Sequence, residues 1–185
     1  TKHDSHEMDL KLGIREKLFT VLVTSGGAGI GDTQAIVKGI LSLKKPVQVL
    51  VVCGTNKALF MALSGMAQEN RLLKVFGFVS NMDELMEASD VVVGKAGGLT
   101  VTESFVKGKP VILFRSVPGQ ESRNADFVAR NEVGFTTDSI KEVVSIVSRL
   151  HDEPDQIQAL RDKVRRIARP NASFDIVKVV EEERS

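Results

Sequence analysis

The sequence predicts a Rossmann-like α/β domain: a mainly parallel sheet in a three-layer arrangement, with helices on both faces. Three observations carry that expectation. Short β-branched and aliphatic runs recur along the chain and are nearly continuous in apolar character, as strands covered on both faces must be. Segments of helical pattern separate them, so the connections are expected to be right-handed crossovers between parallel neighbours. Glycine-rich turns follow two of the strands and open the next helices, the position at which open α/β sheets bind phosphates.

The expected strands are Phe19–Thr24, Val47–Val52, Leu73–Phe78, Asp90–Gly94 and Pro110–Phe114, alternating with helices at about residues 32–43, 56–68, 81–88, 98–107 and 121–131. After Gly134 the pattern changes to helices at roughly 139–150, 154–168 and 172–183, with Pro154 suited to a first turn and Pro170 to a break. The 185 residues, 42% hydrophobic and 26% charged, suffice for one sizeable core, so residues 18–185 read as one domain. Thr1–Lys17 is polar and poorly patterned, a linker or a frayed terminus.

Composition removes several function classes. A formal net charge of +1 gives no strong field, and nucleic acid is not expected as a partner. The single cysteine, Cys53, ends the run Val49–Val52 and has no disulfide partner, which fits a reducing compartment and a buried strand end. No apolar stretch approaches the ~20 residues of a spanning helix, and the N-terminus is unlike a signal peptide. A soluble cytosolic chain is expected. The three histidines, His3, His6 and His151, fall in the polar N-terminus and in a charged connection, and are read as solvated surface rather than as a general base.

The first glycine turn, Thr24-Ser25-Gly26-Gly27-Ala28-Gly29-Ile30-Gly31-Asp32-Thr33, comes close to three nucleotide motifs and completes none. As a P-loop it has Gly26, Gly31 and Thr33 in place, but Asp32 stands where the lysine belongs, and its charge opposes phosphate. As a dinucleotide fingerprint no frame gives glycine at all three positions, and no acidic ribose partner follows in the Val49–Cys53 strand. A short-chain dehydrogenase signature is nearly spelled, yet Ser25 replaces its first glycine and the chain has no tyrosine to act as the catalytic residue. A plain tight turn is the remaining alternative.

The second turn carries more information. Asp90–Gly94 is strand-like, Lys95–Gly98 turns, and a helix follows from Leu99, so backbone N–H groups at the turn and the positive end of the helix suit a diphosphate. Thr100 can cap or touch phosphate. Glu103, three residues on, shares its face, and a carboxylate accepts two hydrogen bonds, enough for both hydroxyls of a ribose without a metal. Lys95 either balances phosphate charge or covers apolar surface with its stem. Pro118 and Gly119 force a turn before Gln120, Glu121 and Asn124, a set able to read hexose hydroxyls or simply to begin a helix. Between these motifs, Gly77–Glu84 runs from a strand end into a helix capped by Ser80 or Asn81. There the backbone of Phe78 and Val79 can pair with a planar base.

Together, Gly77–Asp83, Gly94–Glu103 and Pro118–Asn124 resemble, in order and separation, the donor half of two-domain UDP-sugar glycosyltransferases. The similarity runs from about Phe19 to Gly134 and is greatest to diacylglycerol glucosyltransferases and monogalactosyldiacylglycerol synthases. The intact Pro118-Gly119-Gln120-Glu121 favours them over the related N-acetylglucosaminyltransferase of peptidoglycan synthesis, whose loop differs. The resemblance implies one half of a GT-B architecture, with Phe78, Val79 and Met82 around uracil and Glu103 on the ribose. It places Gly97, Gly98, Leu99 and Thr100 at the diphosphate and the Gly26-Gly27 loop facing the same groove. Gln120 and Glu121 then hold the sugar, and Asn124 points to its phosphate side. It further implies inverting hexosyl transfer from UDP-hexose to a diacylglycerol hydroxyl at the cytoplasmic face of a membrane, with no metal. The acceptor lipid and catalytic base belong to an N-terminal domain that this chain does not contain, so the domain alone is expected to bind donor without transferring it. Two alternatives stay open: a UDP-sugar epimerase domain, and a non-catalytic nucleotide-sugar-binding subunit. The apolar positions Phe174, Ile176, Val177, Val179 and Val180 point to packing on the core or on the absent domain rather than to a membrane helix.

Overall fold

A computed structural model describes residues 13–15, 18–25, 32–114 and 119–182. The described strands and helices follow one another as β1 (Phe19–Thr24), α1 (Thr33–Leu41), β2 (Val47–Val52), α2 (Lys57–Glu69), β3 (Leu73–Phe76), α3 (Met82–Glu87), β4 (Val91–Gly94), α4 (Gly98–Val106), β5 (Val111–Phe114), α5 (Gln120–Arg130), β6 (Gly134–Thr137), α6 (Ile140–Asp152), α7 (Pro154–Ile167) and α8 (Ala172–Glu182). All strand pairs are parallel, and the sheet order is β3-β2-β1-β4-β5-β6. The chain therefore winds outward from β1 to β3 and then from β4 to β6. Its direction of winding reverses between β1 and β4, and the crevice beyond their carboxyl ends is where such sheets take ligands.

The period of two along each strand divides the core. Val21, Val23, Val49, Val51, Val91, Val93, Ile112 and Phe114 face a cluster with Ile36, Val37 and Ile40 of α1 and with Val143, Val147 and Leu150 of α6. Leu22, Leu50, Val92, Val111 and Leu113 face the other side, against Leu85 and Met86 of α3, Val101 and Phe105 of α4 and Val128 of α5. Both faces are covered, which is why the strands read as continuous apolar runs instead of alternating ones.

The structure trims and extends the expected elements. Strand β3 stops at Phe76, and Phe78 has left the ladder, 81% exposed. Asp90 precedes β4 and serves as a clasp: its N–H donates to the Thr20 carbonyl (2.7 Å), and its carboxylate accepts the Thr20 N–H (2.8 Å) and Arg161 Nη2. Pro110, with no N–H to give, precedes β5 and accepts from Val92 through its carbonyl. Strand β6 corrects the expectation of helices alone after Gly134. Its sequence, Gly-Phe-Thr-Thr, has one large apolar residue, and no residue of this edge strand is fully buried, so it lacks the apolar continuity that marks its neighbours.

One surface expectation is also corrected, and one of the two alternatives for the C-terminal helix falls away. His151 is half-buried, edge-on to Phe19 with 5.8 Å between ring centroids and with Nδ1 3.1 Å from Asp152 Oδ1. It lies at the amino end of β1, away from the glycine turns. The Lys45 ammonium, which pairs with Asp152, holds that carboxyl below its usual pKa, and the imidazole adds to the effect. Helix α8 does not pack on the core: it buries none of its residues and leaves Phe174, Ile176, Val177, Val179 and Val180 in solvent. At the other end, residues 13–15 lie against the body, with the Arg15 N–H donating to the Gln48 amide oxygen (2.9 Å) and Ile14 packed on the second core cluster. No described helix is long and apolar enough to cross a membrane.

Cys53 is 0% exposed, and burial pushes its thiol up to about 11. The thiolate is the reactive form, so native protein is expected to resist alkylation from pH 7 to pH 9, and to react readily only after denaturant opens the core. Rapid labelling of folded protein at pH 8 would contradict this placement.

Candidate functional site

The crevice at the β1/β4 reversal is built by close backbone approach. A methyl group on Gly94 would stand 2.3 Å from Thr24 Oγ1 and 3.4 Å from the Thr24 carbonyl oxygen, so glycine leaves room for the Thr24 hydroxyl where the ends of β4 and β1 meet. The chain then turns through Lys95 and the buried Ala96 into α4. Gly97 is the N-cap residue, extended (φ −68°, ψ 131°), and no side chain caps this helix end. The first intrahelical bond runs from the Val101 N–H to the Gly97 carbonyl (3.0 Å). The N–H groups of Gly98, Leu99 and Thr100 lie ahead of that bond and emerge at the positive end of the helix dipole, an arrangement that suits an anion.

Glu103 lies one turn deeper. It is exposed, and with Met82, Ser80, Asp83, Met86, Thr102, Val106 and Lys107 it lines a recess of about 350 Å³ between α3 and α4. Two of the expected residues, Met82 and Glu103, are thus brought together from elements 21 positions apart in the sequence. Lys107 lies 3.3 Å from Glu87 and 3.9 Å from Asp83, which ties the far end of α4 to α3 and sets the width of this recess. The cap of α3 differs from the expectation: Asn81 takes the N-cap position, but its side-chain amide donates to the Glu84 carboxylate (2.7 Å) rather than accepting a backbone N–H.

Val79 packs on the core, leaving its backbone groups as what it can offer a base. Phe78 instead stands in a second recess of about 390 Å³ with Gly54, Thr55, Lys57, Phe60 and Gly77. The β2–α2 turn thus contributes residues the sequence reading overlooked. Their one signal was the polar stretch Gly54-Thr55-Asn56 directly after an apolar strand. Leu99, 80% exposed at the start of α4, is another large apolar side chain left in water.

Helix α5 begins at Gly119, whose φ of +109° is one that L side chains rarely adopt, and Ser122 Oγ accepts the Gly119 N–H (3.2 Å) and donates to its carbonyl (2.8 Å). Gln120 is exposed and Glu121 half-buried in the first turn, and neither lines the two recesses. Asn124 faces the glycine turn, its amide donating to the Ala96 carbonyl (2.7 Å). Gly26, Gly27 and Pro118 lie outside the described residues. Among the described residues no three or more His, Cys, Asp or Glu side chains gather as a metal ion would require. A roomier cavity, about 620 Å³, lies at the opposite, amino end of the central strands around Phe19, Asp90, His151 and Arg161, where no glycine turn opens.

Comparison with known proteins bears on the family and the fold. The chain is 35% identical over 180 residues to monogalactosyldiacylglycerol synthase 2 of Arabidopsis thaliana, covering 93% of this chain and 38% of that protein. It is 29% identical over 174 residues to a processive diacylglycerol beta-glucosyltransferase of Bacillus pumilus, covering 94% and 45%. The chain thus spans less than half the length of either relative. Among solved structures, MurG of Acinetobacter baumannii superposes with a TM-score of 0.74 at 19% identity, over 96% of this chain and 53% of that one. Anabaena HepE in complex with UDP-glucose superposes at 0.72 and 18%, over 98% and 51%. These two likenesses establish a fold shared with GT-B glycosyltransferases. The model of the glycosyltransferase family 28 C-terminal domain matches residues 20–172, from the first strand to the start of α8, and the chain belongs to that family.

Proposed function

We propose that this domain binds the UDP-sugar donor of a lipid glycosyltransferase, and that the whole enzyme transfers a hexose, with inversion, from UDP to a diacylglycerol-type acceptor. One observation carries the reading: the uncapped glycine-built start of α4 at the β1/β4 reversal, with Glu103 and Met82 sharing a recess one turn deeper. A diphosphate on the N–H groups of Gly98, Leu99 and Thr100 leaves the ribose diol within reach of the Glu103 carboxylate. Uracil then lies over Met82, beside the backbone of Phe78 and Val79. The Gly97 N–H joins that donor set, Lys95 flanks the diphosphate, and the Gly26-Gly27 loop faces it across the crevice. Pro118, Gly119, Gln120 and Glu121 hold the hexose.

As the anomeric bond breaks, charge accumulates on the leaving UDP, and the fixed helix-end dipoles stabilise it without reorganising. The positive helix end lies where a metal would otherwise be needed, and no metal is part of this proposal. The acceptor and the general base come from the part of the relatives that this chain does not match. In the full-length enzyme the domain works peripherally at the inner face of a membrane. Both named relatives act on diacylglycerol, which supports a lipid acceptor.

Isothermal titration of this chain with UDP, UDP-glucose, UDP-galactose, ATP and NAD tests the reading. Uptake of UDP and one UDP-hexose, with ATP and NAD silent and added metal without effect, is the expected result and names the sugar. Binding of NAD with UDP silent would overturn it.

A further inference from the structure

We infer that Asn124 is a positioning residue: it holds the β4–α4 turn in its anion-binding shape by gripping the Ala96 carbonyl, and acts on the diphosphate through that peptide. The inference rests on the donor-site reading above and assigns Asn124 a role that reading does not contain.

The bond from Asn124 Nδ2 to the Ala96 oxygen is short, 2.7 Å, and joins positions 28 apart in sequence. Ala96 is fully buried, Asn124 is half-buried, and a methyl on Gly98 would stand 3.6 Å from the same amide nitrogen. The side chain therefore lies directly on the turn. A trans peptide is planar with its C=O and N–H opposed, so fixing the Ala96 carbonyl also fixes the direction of the Gly97 N–H. Gly97 and Gly98 are the least constrained residues of the chain at this point, and without a strut their amides would sample many directions. No side chain caps α4, so this bond from the neighbouring helix does the orienting. It also couples the two motifs: the first turn of α5, which carries Gln120 and Glu121, cannot shift without moving the diphosphate turn.

Hydrogen exchange of the Val101 amide, whose N–H is held by the Gly97 carbonyl (3.0 Å), measured without ligand on this chain and its N124A and N124D variants, reads the strut. Aspartate keeps the shape of asparagine but has no proton to donate when ionised. Both variants are expected to exchange this amide about fivefold faster, with α1 and α2 unchanged, since one hydrogen bond of this kind is worth about 1 kcal/mol. In titrations, N124A is expected to bind UDP and UDP-hexose about tenfold more weakly and uridine as wild type does. Unchanged exchange in N124A, or wild-type exchange in N124D, would overturn the proposal. So would normal UDP binding with only UDP-hexose weakened, the mark of a direct sugar contact. Failure of the donor-site reading looks different: the wild-type chain then takes up no uridine compound, which removes the ligand half of this inference, while faster exchange in the variants would still establish the strut.

Discussion

Replacing Gly134 with alanine is expected to destabilise the domain by about 3 kcal/mol, the upper range for forcing a methyl into a packed site. A methyl there would lie 2.3 Å from the Val111 carbonyl oxygen, 2.9 Å from Val111 Cγ2 and 3.0 Å from Val128 Cγ1. The nearest of these is backbone, in register with Gly134 across the β5–β6 pair, so relief requires the edge strand to move. Gly94 makes an equally short approach, but to the Thr24 hydroxyl, which can rotate away, and Gly94→Ala is therefore expected to lose less. Urea unfolding checks the comparison: the midpoint of G134A should fall further than that of G94A, at an unchanged slope. A G134A variant within 0.5 kcal/mol of wild type, on the order of ordinary surface substitutions, would mean that β6 does not dock as described.

That edge strand also shows where sequence reasoning stops. Buried parallel strands announce themselves because both faces must be apolar, and Val47–Val52 could be read without any structure. Gly134–Thr137 sits at the edge and pairs on one side only, so threonine and glycine serve it, and the local pattern is that of a turn before a helix. The site divides in the same way. The glycine turn before α4 and its following Glu103 were legible because a helix start and a three-residue spacing are local features. The Thr24–Gly94 approach, the Asn124–Ala96 bond and the Phe60–Phe78 recess each join residues distant in sequence. No local pattern encodes them, since they depend on strand order, and strand order places β2 on one side of β1 and β4 on the other.

Glu103→Ala is expected to weaken UDP binding by about 1.5–3 kcal/mol, or about 10- to 150-fold, while leaving the thermal midpoint unchanged. The sign has to be argued, because removing a carboxylate near a diphosphate also removes a repulsion. Glu103 is set back from Thr100 by about 4.5 Å along the helix axis, and the side chain leans into the recess beside Met82. At a separation of roughly 8 Å in a water-like medium, the repulsion per charge pair is about 0.5 kcal/mol and is screened further by salt. Two hydroxyls donating to one ionised carboxylate outweigh it, and more so once the bound nucleoside excludes water from the recess. The stability half of the prediction follows from exposure: Glu103 is an exposed residue of α4, and alanine is a better helix former. Glu103→Gln separates charge from acceptor number, keeping an oxygen but only one, and should fall between wild type and alanine. Gln120→Ala is the contrasting variant. It stands beyond both recesses at the first turn of α5, so it should bind UDP as wild type does and lose affinity only for UDP-hexose. Calorimetric titration of the three variants with UDP and UDP-hexose gives the pattern directly. Normal binding of both ligands by both alanine variants would show that the ribose and hexose lie elsewhere. An unaltered UDP affinity in Glu103→Ala alone would leave the diphosphate at the α4 turn but take the diol away from Glu103.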